Sequence, residues 1–219
     1  MSAAVIRDIN LPLVASSLDE LRTSLGKQAN WYLTWKNIRT HSHRLHIASS
    51  LAGRTWLKVV AVVACKHHLP PGALNESQIY LYQLRFLLER LSWLGRQHRQ
   101  VVSYTLAHIV RFKLAELRHY EEQLRGMNTE IDWVWLDPKG GSIDQPQRVQ
   151  ELQLADLAVS AIGTAFNADH FGNVETRYLT TLNPRFYRPN ARSAVTSYGL
   201  KMHPWNETTK AAYPWIAAL

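Results

Sequence analysis

The sequence predicts an α/β fold, and three features carry that expectation. Leu57 to Cys65 is a continuously apolar, β-branched run, the pattern of a strand buried on both faces. Tyr82, Phe86, Leu87, Leu91 and Leu94 then recur at helical spacing as the apolar stripe of a long helix. Strand-like and helix-like patterns alternate beyond it, as expected for a sheet covered by helices.

Taken in order, Ser17 to Leu25 reads as a short helix with Ser16 or Ser17 as its cap and Gly26 as its stop. Trp31 to Ser50 is compatible with more than one state. The apolar strand follows, and Pro70-Pro71-Gly72 closes its region. Asn75 or Ser77 is expected to cap the long helix, which reaches about His98. Val101 to Ile109 reads as a second strand, Phe112 to Leu124 as a helix closed by Gly126, and Glu130 to Leu136 as a third strand. Asp137-Pro138-Lys139-Gly140-Gly141 is a turn. Gln147 to Asn167 reads as a helix that is apolar on nearly every side. After it comes a polar, aromatic and basic tail punctuated by Pro184, Pro189, Pro204 and Pro214, expected as an irregular arm. The expected organisation is one domain over residues 1–175 with a C-terminal arm over 176–219 packed on it.

The chain has 219 residues, 46% apolar and 19% charged, a globular balance too apolar for a disordered chain. Its longest strongly apolar run has nine residues, short of the about 20 that span a bilayer. The single Cys65 excludes a disulfide framework and a multi-cysteine zinc site. The first residues lack the pattern of a secretory signal. A cytoplasmic protein without membrane association is expected.

Charge is distributed unevenly. The formal net charge is +8. From Arg22 to Asn75 there is no Asp or Glu, yet the stretch holds Arg22, Lys27, Lys36, Arg39, Arg44, Arg54, Lys58 and Lys66, with His41, His43, His46, His67 and His68. Those eight Lys and Arg residues equal the whole excess of the chain. So one-signed a segment predicts a positive surface, for which phosphate backbones are a common partner, or else a solvated basic face. The tail adds Arg177, Arg185, Arg188, Arg192, Lys201 and Lys210, interleaved with Phe186, Tyr187, Tyr198 and Trp205. Such a mixture either grips single strands or packs its aromatics on the core.

Asp156 is the most informative candidate. It lies in Leu152-Gln153-Leu154-Ala155-Asp156-Leu157-Ala158-Val159, where a carboxylate is expected to be at least partly buried. Buried, it needs a cation, a metal or several hydrogen-bond donors. Lys66 ends the apolar strand, and ligands gather at the carboxyl ends of strands in such sheets. Lys66, His67 and His68 are therefore placed for phosphate or for Asp156, or they are polar punctuation where a strand meets solvent. His41-Ser42-His43-Arg44-Leu45-His46 matches no zinc spacing. The chain has neither a phosphate-binding glycine loop nor a Gly-x-Ser-x-Gly elbow. Cys65, inside the apolar strand, is expected in the core.

These features in this order resemble the bacterial domain-of-unknown-function 3800 family, which has a ribonuclease H-like fold. The likeness rests on Arg44-Leu45-His46, on Val59 to Lys66, on Tyr80-Leu81-Tyr82 with Leu87-Leu88-Glu89-Arg90-Leu91, and most specifically on Leu152-Gln153-Leu154-Ala155-Asp156-Leu157. It spans roughly Ala3 to Arg188. The resemblance implies a mixed sheet flanked by helices and a metal-dependent nuclease. In that activity Mg²⁺ or Mn²⁺ held by carboxylates activates water on a phosphodiester. Asp156 would be the metal ligand, Lys66 would contact the scissile phosphate, and His46 would assist. Arg39, Arg44, Lys66, His67, His108 and Arg111 would contact nucleic acid. The chain departs from the family in two places. No Asp-Glu-Ser-Gly-type strand is present, so the sheet is expected to lack its first strand. His108 stands where a Glu is common. Glu89 could help to hold a cation, or form a surface salt bridge with Arg85 or Arg90. The alternative is a catalytically inactive nucleic-acid- or partner-binding module of the same fold. An open sheet edge would also allow a homo-oligomer or a partner chain.

Overall fold

The computed structural model of the chain describes residues 1–69, 75–109 and 112–219. The Pro70-Pro71-Gly72 break and Arg111 lie outside them. The described residues form a mixed α/β fold with seven α-helices and two small sheets. In chain order the elements are β1 (Ser2–Ile6), α1 (Pro12–Ser24), α2 (His41–Gly53), β2 (Leu57–Ala64), α3 (Glu76–His98), β3 (Thr105–Ala107), α4 (Leu114–Gly126), β4 (Ser142–Asp144), α5 (Glu151–Gly163), α6 (Arg177–Leu182), β5 (Leu200–His203) and α7 (Glu207–Ala212). Among the described residues no helix is long and apolar enough to cross a membrane.

The chain divides into two compact units. One contains residues 2–59 and 145–186; the other contains residue 1 with 60–144 and 187–219. The boundary passes through β2.

In the unit of residues 2–59 and 145–186, α1 begins at Pro12, five residues before the expected Ser17. Proline's fixed φ suits a first helical position, and its missing N–H costs nothing there. Val14, Leu18, Leu21 and Leu25 form the buried stripe, and Gly26, at φ 64°, ends the helix. The ambiguous segment resolves into a 3-10 turn at Trp35–Asn37 and then α2. Thr40 caps α2 by accepting from the His43 amide at 3.3 Å. α2 buries Ile47, Ala48 and Leu51 and packs on α5 and α6. α5 buries Leu152, Leu154, Leu157, Ala158, Ala161 and Ile162. Its apolar faces explain why it also carries β1, where the Ser2 hydroxyl donates to the Ala155 carbonyl at 3.3 Å.

In the other unit β2 pairs in parallel with β5, from Ala61 opposite Leu200 to Ala64 opposite His203. The Met1 and Val62 backbones exchange hydrogen bonds of 2.9 Å. α3 opens on a capping box in which Asn75 and Gln78 bond reciprocally at 2.9 and 2.8 Å. β3 and β4 form a separate parallel pair.

Besides the early start of α1 and the shorter α5, which runs Glu151–Gly163 where Gln147–Asn167 is expected, the structure differs from the expected elements at three further places. The second strand shortens from Val101–Ile109 to Thr105–Ala107. The third is a 3-10 turn at Trp133–Trp135, with only Leu136 bridging to Val102. Side chains of α3 explain it: Trp93 Nε1 donates to the Glu130 carbonyl at 2.8 Å, and Ser92 Oγ accepts from the Asp132 amide at 3.0 Å. Glu130 and Asp132 thus find partners on a helix, and the ladder is reduced to the bridge beside Val102. Finally, the C-terminal segment is not irregular throughout, since it supplies α6, α7 and β5.

Gly95 marks where α3 approaches the Trp133–Trp135 turn. A Cβ there would lie 2.8 Å from the Gln100 carbonyl oxygen and 3.0 Å from Trp135 Cβ, while one at Gly53 would meet nothing within 4 Å. Gly95→Ala should therefore destabilise the protein by about 1–3 kcal/mol. Gly53→Ala should be neutral or stabilise by up to about 1 kcal/mol. Urea denaturation of the two variants checks the contrast.

Candidate nucleic-acid interface

Asp156 sits on α5, half-buried as its sequence context implied. Its Oδ2 accepts two hydrogen bonds, from the Thr34 hydroxyl at 3.0 Å and from the Trp35 amide at 3.2 Å. One turn earlier, Gln153 is 4% exposed. Its Oε1 accepts from the Leu33 amide at 3.3 Å and from Arg22 at 3.4 Å, and its Nε2 donates to the Pro146 carbonyl at 3.1 Å. Two side chains of one helix thus hold an extended segment that pairs with no strand among the described residues. The Asp156 charge also helps to raise the Tyr32 pKa, although burial is the larger cause.

Around Trp35 the packing is aromatic and cationic. Tyr178 of α6 meets Trp35 edge to face, with ring centroids 5.2 Å apart. Arg44 of α2 lies over the Trp35 ring at 5.3 Å and donates to the Ile38 carbonyl at 2.8 Å. His41 Nδ1 is hydrogen-bonded to the Tyr178 hydroxyl at 2.6 Å and lies 3.5 Å from Glu175. The segment held by Asp156 continues into exposed Lys36 and Arg39, then into the first turn of α2 with exposed His41, Ser42 and His43. Lys36 and Arg39 make no hydrogen bond or ion pair among the described residues. The positive end of the α2 dipole lies at the same place.

The fold sorts the basic segment into two classes. Arg22, 7% exposed, donates to the Trp31 carbonyl at 2.8 Å and to Asp19 at 2.7 Å. Arg54 pairs with Glu20, and burial with the nearby Arg185 lowers the Lys58 pKa. These cations, with Arg44, hold structure. Lys36 and Arg39 stay exposed, as do Lys66 and Lys27, the latter 5.1 Å from the Trp31 centroid.

The other expected site residues are placed as follows. His46 is exposed on α2 and hydrogen-bonds Ser24 Oγ at 2.8 Å. Lys66 and His67 are exposed on a 3-10 turn at the carboxyl end of β2, where the sequence put them. His68 bonds Thr209 Oγ1 at 3.0 Å. His108 is exposed beyond β3, and its amide donates to the Asp144 carbonyl at 2.8 Å. Arg111 lies outside the described residues. Cys65 is buried, 3.5 Å from the Tyr213 hydroxyl.

The donor set does not fit a paired-metal centre. Among the described residues no three His, Cys, Asp or Glu side chains gather where they could hold a metal ion. The Asp156 oxygen described above is already engaged by an amide and a hydroxyl. Glu89 ion-pairs with Arg85 at 3.4 Å and Arg90 at 2.7 Å, but it is 3% exposed, so the bridge is not on the surface.

A second polar cluster, in the unit of residue 1, 60–144 and 187–219, escaped the sequence analysis. Lys201 and His203 of β5 face Tyr82, Phe86 and Arg90 of α3. The Tyr82 hydroxyl is 2.7 Å from His203 Nε2, and the His203 ring stacks on Phe86 with centroids 5.2 Å apart. Lys201 Nζ lies 5.5 Å from the Phe86 centroid. Burial, helped by Lys201, lowers the His203 pKa, and burial, helped by Arg90, lowers that of Lys201. The alternation Leu200-Lys201-Met202-His203 was the available signal, a period of two in a stretch dominated by prolines and aromatics.

His203 has its folded-state pKa below the ordinary 6.5. Its contribution to stability is complete above 6.5 and is lost as the pH falls below it, because the unfolded chain takes up the proton first. The wild type should lose stability as the pH falls below about 6.5, and His203→Gln should flatten that part of the profile. Chemical denaturation across this range measures it.

Comparison with protein-family models, curated proteins and solved structures finds no match to this chain.

Proposed function

We propose that this protein is a nucleic-acid-binding module on a ribonuclease H-like α/β scaffold, similar to the domain-of-unknown-function 3800 family, and that it holds phosphates through lysine and arginine without metal-dependent cleavage. One observation carries the reading: the Asp156 carboxylate is used as an anchor for Thr34 and Trp35. A carboxylate so engaged, with no further acids gathered round it, is a poor cation site. The anchor leads the chain directly into Lys36, Arg39 and the amino end of α2, which together offer point charge, a planar guanidinium and helix-terminal amides to an anion. Phosphate contacts of this kind give affinity without sequence preference.

A nuclease is the second reading. It is favoured by the half-exposure of Asp156 and by its Oδ1, which makes no hydrogen bond among the described residues. Mg²⁺- or Mn²⁺-dependent cleavage that disappears in Asp156→Asn would establish it and overturn the first.

Binding of a labelled oligonucleotide, followed by fluorescence anisotropy at several salt concentrations, tests the module. Affinity should fall steeply with salt and be unchanged by EDTA. Lys36→Ala and Arg39→Ala should each lower the salt slope by about 1 if each contacts one phosphate. Binding that is insensitive to salt or to both variants contradicts the assignment.

A further inference from the structure

The unit of residue 1, 60–144 and 187–219 contains a cleft of about 490 Å³ lined by Trp93, Arg96, Gln97, Glu130, Tyr187, Pro189 and Tyr198. We infer that this cleft receives one unstacked nucleobase of a single strand, with Arg96 beside the strand's phosphate. The inference rests on the nucleic-acid reading above and extends it to a second set of residues.

Three aromatic rings stand edge to face along the cleft. Trp93 and Tyr198 have centroids 6.0 Å apart at 72°, and Tyr187 and Tyr198 5.8 Å apart at 82°. Tyr187 is 3% exposed and backs the others, so half-exposed Trp93 and Tyr198 leave the ring surface that a flat, π-rich guest completes, whereas an aliphatic guest would forgo the stacking. The walls are fixed before any ligand arrives. Trp93 Nε1 donates to the Glu130 carbonyl at 2.8 Å, and the Arg90 guanidinium lies 4.7 Å from the Trp93 centroid. Gln97 Nε2 donates to the Pro189 carbonyl at 3.0 Å. Little side-chain freedom remains to be lost on binding, which favours affinity.

The polar groups suit a base and its backbone better than a purely apolar guest. Arg96 is exposed, with its Nη1 3.6 Å from Asp132, so its charge is accessible to a phosphate. Gln97 and Glu130 also line the cleft, residue types whose side-chain oxygens can accept from the ring or exocyclic N–H of a base. Burial is the largest cause pushing the Tyr187 hydroxyl up to about 12, which leaves it a neutral donor at physiological pH. A cleft with stacking surface, acceptors and one accessible cation matches the three parts of a nucleotide. It reads no sequence by itself, because every base offers a π face.

The test compares a fluorescein-labelled oligothymidylate with an abasic strand of the same length, using the whole chain. The wild type should bind the base-bearing strand about tenfold or more tightly than the abasic one. Tyr198→Leu and Trp93→Leu should erase that preference while leaving abasic affinity unchanged. Tyr198→Phe should keep it. Tyr198 is half-exposed, so its variant remains informative if Trp93→Leu does not fold. Equal affinity of the wild type for the two strands overturns the proposal, as does a preference that survives Tyr198→Leu. If neither strand binds, the nucleic-acid reading fails, and equilibrium dialysis with free thymidine monophosphate decides the cleft separately. Binding lost in Tyr198→Leu supports the cleft, and absence of binding overturns it.

Discussion

Gln153 and Asp156, one turn apart on α5, hold the backbone of Leu33 to Trp35 through two amides and a hydroxyl. That short extended segment pairs with no strand among the described residues, so these side chains replace the ladder that would otherwise satisfy its N–H groups. The rest of this unit's polar architecture depends on the arrangement. It sets where Trp35 meets Tyr178 and Arg44, where the 3-10 turn forms, and where α2 begins. A buried or half-buried polar group is costly unless it is satisfied, so removing one partner costs more than the bond itself is worth. Specific placement is what the two α5 side chains contribute.

The same physics decides how the positive charge is spent. Arg22, Arg44 and Arg54 are drawn into backbone carbonyls, an indole face and carboxylates, and they become part of the unit's fastening. Lys36 and Arg39 follow the anchored segment immediately and stay exposed. A basic stretch that looks uniform in sequence therefore divides into fastening and display. The division falls where the carboxylate lies, because the carboxylate fixes the backbone that presents the display residues.

Much of this was legible in the chain. The β-branched run gave β2 to within one residue of its end, and the apolar stripe behind the candidate caps Asn75 and Ser77 gave α3. The apolar context of Asp156 gave its partial burial and its need for a cation, a metal or several donors. Which donors it would find was not legible, since Thr34 and Trp35 lie 122 and 121 residues away and nothing local marks them. The strand expected at Glu130–Leu136 failed for a similar reason: Ser92 and Trp93 of a distant helix capture its backbone. β5 was hidden because a four-residue strand among prolines and aromatics leaves little periodicity to detect. Glu89 sat beside its arginine partners in sequence, but its burial depends on packing that no local pattern records.

The account stands on Asp156 being an anchor for backbone and not a metal ligand, and thermal unfolding of three proteins tests it most directly. Wild type, Asp156→Asn and Asp156→Ala are compared with and without Mg²⁺. An asparagine keeps an acceptor oxygen for Thr34 and Trp35, so it should retain most of the stability. Alanine strands both donors and should lose about 1–3 kcal/mol. Mg²⁺ should leave the wild-type Tm unchanged. A wild-type Tm raised by Mg²⁺, with the rise abolished equally in both variants, would contradict the anchor and restore the metal.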